Sequence, residues 1–324
     1  MAGKSDWLWK VSARRISLVL VLLLGFIILG LAGTGAATAR TLEVGADKPY
    51  NAPSLAAADA KDGDHIRIAP GEYFDCAVWR ANNLVIEGSG PDASAIITDK
   101  TCMEKGIFVI VGNDTTVRNL TLTRARVPEM NGAGIRLEGR SLTVEHVKFI
   151  NNQNGILGGG PASRVIIRDS QFLQNGTCAQ ACAHGIYTGG DLLHVEHSLF
   201  FETRQGHHIK SRALRTEVIG CEITDGKNGT SSYLIEVPNG GSLVVSDSTL
   251  EKGPRSENNG AAIAIGSEGV THSTHEIIID NNKFTNDGNY STVFVRNITA
   301  TPAVLRGNKL SGRATALSGD GNVE

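Results

Sequence analysis

One short pattern of apolar and polar residues returns along most of this chain, and it constrains the fold more than any other feature. Each copy begins with an apolar residue, has Asp, Asn, Gly or His in third place and ends on a second large apolar residue. The clear copies begin at Val144, Ile167, Val195, Val218, Val245 and Ile279, with weaker copies at Val117 and Leu305. From Val117, successive copies are separated by 27, 23, 28, 23, 27, 34 and 26 residues. Self-similarity at this period is typical of a solenoid in which each repeat forms one coil.

The spacing inside a repeat predicts short strands rather than helices. Residues 142–149 alternate apolar and polar side chains, with one slip at His146, as a half-buried strand does. Gly and Asn crowd the segments between the apolar runs and supply the left-handed conformations that tight corners need. Strands stacked about 4.8 Å apart would build a rod roughly 40 Å long from about eight or nine coils. A sandwich or a barrel does not explain why the same repeat position is always apolar.

This pattern resembles the right-handed parallel β-helix of the pectate-lyase-like superfamily, and the resemblance covers roughly residues 60 to 312. It implies an all-β fold, a single-stranded right-handed parallel β-helix over residues 61–312. We expect residues 40–60 to form an N-terminal cap and residues 313–324, rich in Gly, Ser and Ala, to be a flexible tail.

The first 39 residues have the order of an export signal. An apolar run at 16–31 is followed by a small-residue triplet at 37–39, and the basic residues before it are Lys4, Lys10, Arg14 and Arg15. This order predicts a cleavable signal peptide and a secreted, periplasmic or cell-envelope protein. Because the apolar run is only slightly short for a membrane span, an uncleaved membrane anchor is the alternative.

Charge and cysteine content narrow the function classes. The formal net charge of -2 argues against nucleic-acid binding, which normally shows as a basic excess. Cysteines in an exported chain predict disulfides. Cys76 and Cys102 lie about one coil apart, Cys178 and Cys182 are placed to close a short loop, and Cys221 is left as a buried free thiol. A metal site is the weaker alternative, because no second ligand pair has matching spacing.

Residues 184–241 depart from the repeat, because titratable side chains concentrate there on three consecutive coils. Aligning the apolar anchors Ile186, Ile209 and Ile235 places the residue after each anchor in one outward-facing column. Alternation along the strand puts two further residues on the same face. The column contains Tyr187, Lys210 and Glu236, and the two further residues are His208 and Arg212. These five residues are the catalytic candidates. The substrate-binding candidates are His184, His207 and Tyr233, which are predicted to stack two places before the anchors, together with Arg215 and Asn239.

This set of residue types suits chemistry on an acidic polysaccharide that contains uronic acids. Removing the proton at C5 needs a base, a cation that neutralises the carboxylate and a proton donor. We predict that Lys210 is the base, with its pKa lowered by nearby cations, and that Arg212 and Arg215 bind the carboxylate. Tyrosine or histidine would donate the proton. Elimination would make the protein a lyase, and reprotonation from the other face would make it a C5-epimerase.

The segment Ile209-Lys210-Ser211 resembles the Lys-Ser segment that carries the base in β-helical alginate and chondroitin lyases. The next coil of those families presents an Arg-His-Gly segment, whereas this chain has residues 236–240 there, so the resemblance extends to Lys210 alone. It also implies calcium as an optional cofactor, although the acidic ligands beside the lysine have no clear match.

Two other functions are weighed against a lyase or epimerase. Glycoside hydrolysis needs paired carboxylates, and the outward column offers only Glu236, with Asp225 near a corner. A non-catalytic solenoid would use the same basic and aromatic patch to bind an acidic polysaccharide, or would be a cell-envelope scaffold. In either case the polysaccharide is the expected partner, and a membrane is contacted only through an uncleaved N-terminal segment.

Overall fold

A computed structural model describes residues 39–324 of the chain. The predicted export signal lies, apart from its last residue, outside the described residues. Within residues 39–324, no helix has the length and apolar character that crossing a membrane requires.

The described chain winds into a right-handed parallel β-helix of about 11 turns, which confirms the predicted fold class. The expected eight or nine coils fall short of this number. One strand that precedes residue 61 and two strands that follow residue 312 belong to the same stack, and the repeat pattern is too weak there to reveal them.

Three faces, numbered here in chain order, make up the coil. Face 1 contains β1 (Thr41–Val44), β2 (His65–Ile68), β5 (Val85–Gly88), β8 (Thr115–Arg118), β11 (Leu142–Glu145), β14 (Arg164–Arg168), the second halves of β18 (Ile186–Glu196) and β20 (Ile209–Ile219), β23 (Ser242–Ser246), β26 (Ile277–Asp280), β29 (Ala303–Arg306) and β32 (Gly321–Val323). Face 2 contains β3 (Gly71–Tyr73), β6 (Ala95–Thr98), β9 (Leu120–Thr123), β12 (Lys148–Ile150), β15 (Gln171–Leu173), β19 (Leu199–Phe201), β21 (Glu222–Thr224), β24 (Thr249–Lys252), β27 (Lys283–Asn286) and β30 (Lys309–Gly312).

Face 3 follows face 2 in each coil and carries most of the predicted site residues. It contains β4 (Ala77–Trp79), β7 (Gly106–Ile110), β10 (Ala133–Leu137), β13 (Asn154–Gly158), the first halves of β18 and β20, β22 (Ile235–Val237), β25 (Ala261–Ile265), β28 (Thr292–Asn297) and β31 (Ala314–Ser318). Three elements lie outside the faces: helix α1 (Pro53–Asp59), one 3-10 turn (Pro91–Ala93) and a short antiparallel hairpin of β16 (Thr177–Cys178) and β17 (Cys182–Ala183).

The strand register is the one that the repeat predicts. Val144 pairs with Val117 on one side and with Ile167 on the other, and the same relation continues along face 1. The third residue of the repeat turns the chain from face 1 to face 2 in the left-handed conformation, with φ of 54° at His146 and 49° at Asp169. The slip in alternation at His146 is therefore a corner of the coil.

The interior is a column of apolar side chains that continues from coil to coil. On face 2, the rings of Phe149, Phe172 and Phe200 stack with centroids 4.7 and 4.6 Å apart. Face 3 makes room for these rings with glycine, because a Cβ atom at Gly155 would lie 2.7 Å from the Phe172 ring. Each fully buried phenylalanine contributes roughly 1.5 to 3 kcal/mol, so the ladder is a main source of stability.

The two ends of the stack and the disulfides complete the fold. Residues 313–324, expected to be a flexible tail, instead carry β31 and β32, which pair with β28 and β29 and so satisfy their backbone groups. Helix α1, within the predicted cap, buries Ala56 and Ala57 in the core. The disulfides Cys76–Cys102 and Cys178–Cys182 form as predicted, and Cys221 is a buried free thiol.

Candidate functional site

Three predicted site residues lie next to one another on the outer surface of face 3. Tyr187 of β18 pairs with Lys210 of β20, and Lys210 pairs with Glu236 of β22. The Lys210 ammonium lies 5.7 Å from the centre of the Tyr187 ring. The column that the sequence predicts is therefore present.

Lys210 is held between two carboxylates. Its Nζ atom lies 2.9 Å from Oε2 of Glu236 and donates a 2.5 Å hydrogen bond to Oε1 of Glu268, and the residue is only 8% exposed. Burial by itself lowers the pKa of Lys210, but the bonds to Glu268 and Glu236 outweigh it, so that the pKa is raised. The predicted lowering is wrong, because the neighbouring carboxylates act more strongly on the ammonium than the more distant cations. Lys210 is an ammonium ion at neutral pH.

Glu236 is the buried centre of this network, at 3% exposure. Its Oε1 atom accepts a 2.7 Å hydrogen bond from the Ser267 hydroxyl, and its Oε2 atom lies 3.0 Å from Nε2 of His207. The Oε2 atom lies within ion-pair distance of His207 and Lys210, but the angles of these two contacts are not those of hydrogen bonds. Burial raises the pKa of Glu236, but the contacts with His207, Ser267 and Lys210 outweigh it and lower the pKa to about 2. The group is a carboxylate throughout the physiological range.

His184, His207 and Tyr233 form the predicted stack at the entry to face 3. The rings of His184 and His207 are 4.7 Å apart, and those of His207 and Tyr233 are 5.2 Å apart. Each Nδ1 atom accepts a backbone hydrogen bond from the next coil, from the N–H of His207 and of Tyr233 respectively. These bonds assign the N–H of both imidazoles to Nε2. Burial lowers the pKa of both histidines, most strongly at His184, so they are neutral hydrogen-bond donors at neutral pH.

Arg212 lies two residues beyond Lys210 and links the column to two loops. Its Nε atom donates a 2.8 Å hydrogen bond to the Tyr187 hydroxyl, and its two terminal nitrogens donate to Asn239 and to Glu268. Burial lowers the pKa of Arg212, but the bonds to Tyr187 and Glu268 raise it overall. Because the Tyr187 oxygen accepts this bond, its own O–H is left to donate to a ligand.

Two predicted residues are not part of this network. His208 was expected beside Lys210, but it is fully buried and faces the core, where Nε2 lies 2.9 Å from Oδ1 of Asp225 and Nδ1 lies 2.8 Å from the Thr203 hydroxyl. Strand β20 begins only at Ile209, so His208 lies in the preceding bend, where strand alternation does not apply. Arg215 lies on face 1, where it pairs with Glu217 and Glu276.

A second set of buried charges lies beneath the site. Lys252 is fully buried, and its Nζ atom donates a 2.8 Å hydrogen bond to the carbonyl oxygen of Ser232. Burial lowers the pKa of Lys252 to about 8, although Asp225 and Glu251 act in the opposite direction. Nothing in the sequence pattern distinguishes Lys252 from an exposed lysine at the end of a strand.

Two cavities meet at this site. One, of about 400 Å³, is lined by the stacked histidines together with Tyr187, Lys210 and Arg212. The other, of about 390 Å³, shares Tyr187 and Arg212 and continues toward the preceding coils. There the wall includes four glycines, Gly158, Gly159, Gly160 and Gly189, beside Arg136 and Glu138. We call the two cavities together the face 3 groove.

Glu268 completes the site, and the repeat pattern of the sequence does not predict it. It follows β25 in a loop, and its half-exposed carboxylate bridges Lys210 and Arg212. The step of 34 residues between Val245 and Ile279 is longer than every other step from Val117 onward, so it signals an extra loop in this coil. The sequence does not show to which coil such a loop returns.

The residues around Lys210 do not fit a calcium site. Calcium takes six to eight oxygen ligands, whereas both carboxylates here are engaged by cations, Glu236 by Lys210 and Glu268 by Lys210 and Arg212. Over residues 39–324, no group of three or more His, Cys, Asp or Glu side chains is arranged to hold a metal ion.

Comparisons with known proteins bear on the fold. No curated protein matches this chain in sequence. An alginate lyase from Paenibacillus sp. str. FPU-7 is similar in structure, with a TM-score of 0.61 and 14% identity over 87% of this chain and 99% of that one. Pectate lyase Pel9A is similar with a TM-score of 0.51 and 12% identity, over 86% of this chain and 80% of that one. The family model described as "Right handed beta helix region" matches residues 79–250, and the chain therefore belongs to the right-handed beta helix family.

Proposed function

We propose that this protein binds an acidic polysaccharide containing uronate residues in the face 3 groove. The supporting observation is that Lys210 and Arg212, which both line the groove, together hold the carboxylate of Glu268. A pair of cations that binds one carboxylate in this way can bind that of a uronate instead. Arginine suits the exchange, because its planar guanidinium matches a carboxylate with two parallel hydrogen bonds.

The rest of the groove suits a sugar chain. The glycines of the groove wall expose backbone that a sugar ring can approach closely. Tyr187 presents an aromatic ring and a hydroxyl at the junction of the two cavities, and His184 contributes a neutral imidazole beside it. Aromatic faces and hydrogen-bond donors of this kind complement the C–H faces and hydroxyl groups of sugars. The polymer would lie along the stack, crossing successive coils.

Binding should depend on the carboxylates of the ligand and on Arg212. Isothermal titration calorimetry with oligouronates and with neutral oligosaccharides of equal length measures this directly. We expect binding of the oligouronate only, and a loss of about tenfold in affinity for Arg212→Gln. Arg306→Gln is the matched control, because Arg306 forms a surface ion pair with Asp280 on face 1. Equal binding of charged and neutral ligands, or an unchanged affinity for Arg212→Gln, would contradict the proposal.

Elimination or epimerisation at C5 is the second candidate function. It is favoured by the placement of Lys210 and Tyr187 at one cavity, where a nitrogen base and a hydroxyl donor would reach the same sugar ring. Since its two carboxylates keep Lys210 protonated, Lys210 must first release a proton to solvent before it can accept the C5 proton. Departure of Glu268 from Lys210 when the uronate carboxylate binds Arg212 would favour this release, although Glu236 stays in contact with Lys210.

Two measurements on alginate, pectate and glycosaminoglycans separate these functions. Ultraviolet absorbance of an unsaturated uronate product would indicate a lyase, and deuterium incorporation at C5 without new absorbance would indicate an epimerase. Loss of either signal in Lys210→Ala supports the base role. Binding by the wild-type protein and by Lys210→Ala, with neither signal, restricts the function to binding.

A further inference from the structure

We infer that a second anion-binding site, distinct from the face 3 groove, lies at the corner between faces 2 and 3. Arg126, which follows β9, and Arg204, which follows β19, line a cavity of about 610 Å³ at this corner. We call this cavity the corner groove. Its ligand would be a carboxylate or sulfate group carried on a carbohydrate.

The two guanidinium groups meet at one neutral oxygen atom. Arg126 donates a 2.8 Å hydrogen bond to Oδ1 of Asn151, and Arg204 donates a 3.3 Å hydrogen bond to the same atom. Two positive groups that share an acceptor are close enough to repel each other. Burial lowers the pKa of Arg126, and the charge of Arg204 lowers it further. An amide oxygen holds them together without cancelling either charge.

Neither arginine has a carboxylate partner within 4 Å among residues 39–324. Arg204 makes two hydrogen bonds, to Asn151 and Gln174, so three of its five N–H groups lack a protein acceptor in that range. Arg126 makes three, two of them to backbone carbonyls. By contrast, Arg124 on the same corner is ion-paired with Asp99 and Glu72. An anion placed between Arg126 and Arg204 would remove their repulsion and use the unassigned donors.

The lining of the corner groove indicates what kind of molecule carries the anion. Amide and hydroxyl side chains predominate, among them Gln205, Asn228 and Thr230. Such groups bond sugar hydroxyls, and a cavity of this size accommodates more than one sugar ring. Glu257 lines both this groove and the first cavity of the face 3 groove, so the two are neighbours. The inference that one polymer chain occupies both grooves rests on the proposed function. The anion site itself is independent of that function.

The test compares variants of the corner groove with a variant of the face 3 groove. Arg126→Gln, Arg204→Gln and the double variant are titrated calorimetrically with an oligouronate, a sulfated oligosaccharide and a neutral oligosaccharide, all hexamers. Arg124→Gln is the matched control, since it removes an arginine of similar exposure that is already neutralised. Thermal unfolding of each variant verifies the fold, which these exposed substitutions should leave intact.

We expect the double variant to bind charged hexamers at least about tenfold more weakly, with the control unchanged. The loss should shrink as salt concentration rises. Loss of sulfated-oligosaccharide binding in a protein that binds no uronate would support the corner site and refute the proposed function. An affinity that depends on Arg212 but not on the two corner arginines would overturn the inference and leave the proposed function standing. Equal loss for the neutral hexamer would also overturn it.

Discussion

Replacing Lys252 by methionine should change the way in which the stability of the β-helix depends on pH. The side chain is fully buried, and burial lowers its pKa from 10.5 to about 8. A difference of this size corresponds to about 3 kcal/mol, at about 1.4 kcal/mol per unit. Below pH 8 the lysine is charged in both states, so the folded state bears this cost in full. Between pH 8 and 10.5 the unfolded chain binds more protons, and stability rises with pH.

Methionine removes the buried charge but also the hydrogen bond to Ser232, whose carbonyl oxygen then lacks a donor, at a cost of about 1 kcal/mol. Lys252→Met should therefore be more stable than the wild type by about 2 kcal/mol at pH 7. Well above pH 10.5 the lysine is neutral in both states, and the variant should be less stable by about 1 kcal/mol. The two stability curves should cross between these pH values.

Urea denaturation of both proteins from pH 7 to pH 10.5 measures the effect, and the difference between them is the quantity of interest. Burial raises the pKa of Cys221 to about 11 and that of Tyr290 to about 12, so these groups lower stability at high pH in both proteins alike. A difference that does not vary with pH would refute the reasoning. So would a variant that is destabilised at pH 7, because the charge of Lys252 would then be well compensated in the folded state.

Two further predictions concern the groove and the cross-links. Glu268→Gln removes the carboxylate that competes with a ligand for Lys210, so the affinity for oligouronates should rise about tenfold. Calorimetry measures this affinity. An equal or lower affinity in the variant would mean that Glu268 takes part in binding. Replacing both cysteines of the Cys76–Cys102 disulfide by serine opens a loop with a sequence separation of 26 residues and should cost about 3.5 kcal/mol of unfolding free energy. A urea midpoint equal to that of the wild type would contradict this estimate.

Much of the fold was predictable because a stacked coil repeats its own environment. Each leading apolar residue, such as Val144, pairs with its counterparts one coil away, and the sequence shows this as a period. The column of Tyr187, Lys210 and Glu236 follows from the same register. The histidine and tyrosine stack was predicted in the same way and is present.

The direction of corner residues was harder to predict. From β6 to β19, the residue after each strand of face 2, such as Arg124, has a positive φ, whereas Asp225 after β21 lacks this conformation and is fully buried. His208 points inward because its strand begins one residue later. Alternation defines side-chain direction only within a strand, and these positions depend on the backbone of the bend.

The sequence by itself determined that this chain coils, with which register, and which residues share a column, because these properties repeat locally along the chain. Only the tertiary structure decided the charge state of the site. Glu268 reaches Lys210 from a loop 58 residues away in sequence and turns the expected base into an ammonium ion. Such a contact obeys no period, since a loop returns to whichever coil its backbone and partners allow, and electrostatic interactions depend on distance in space rather than along the chain.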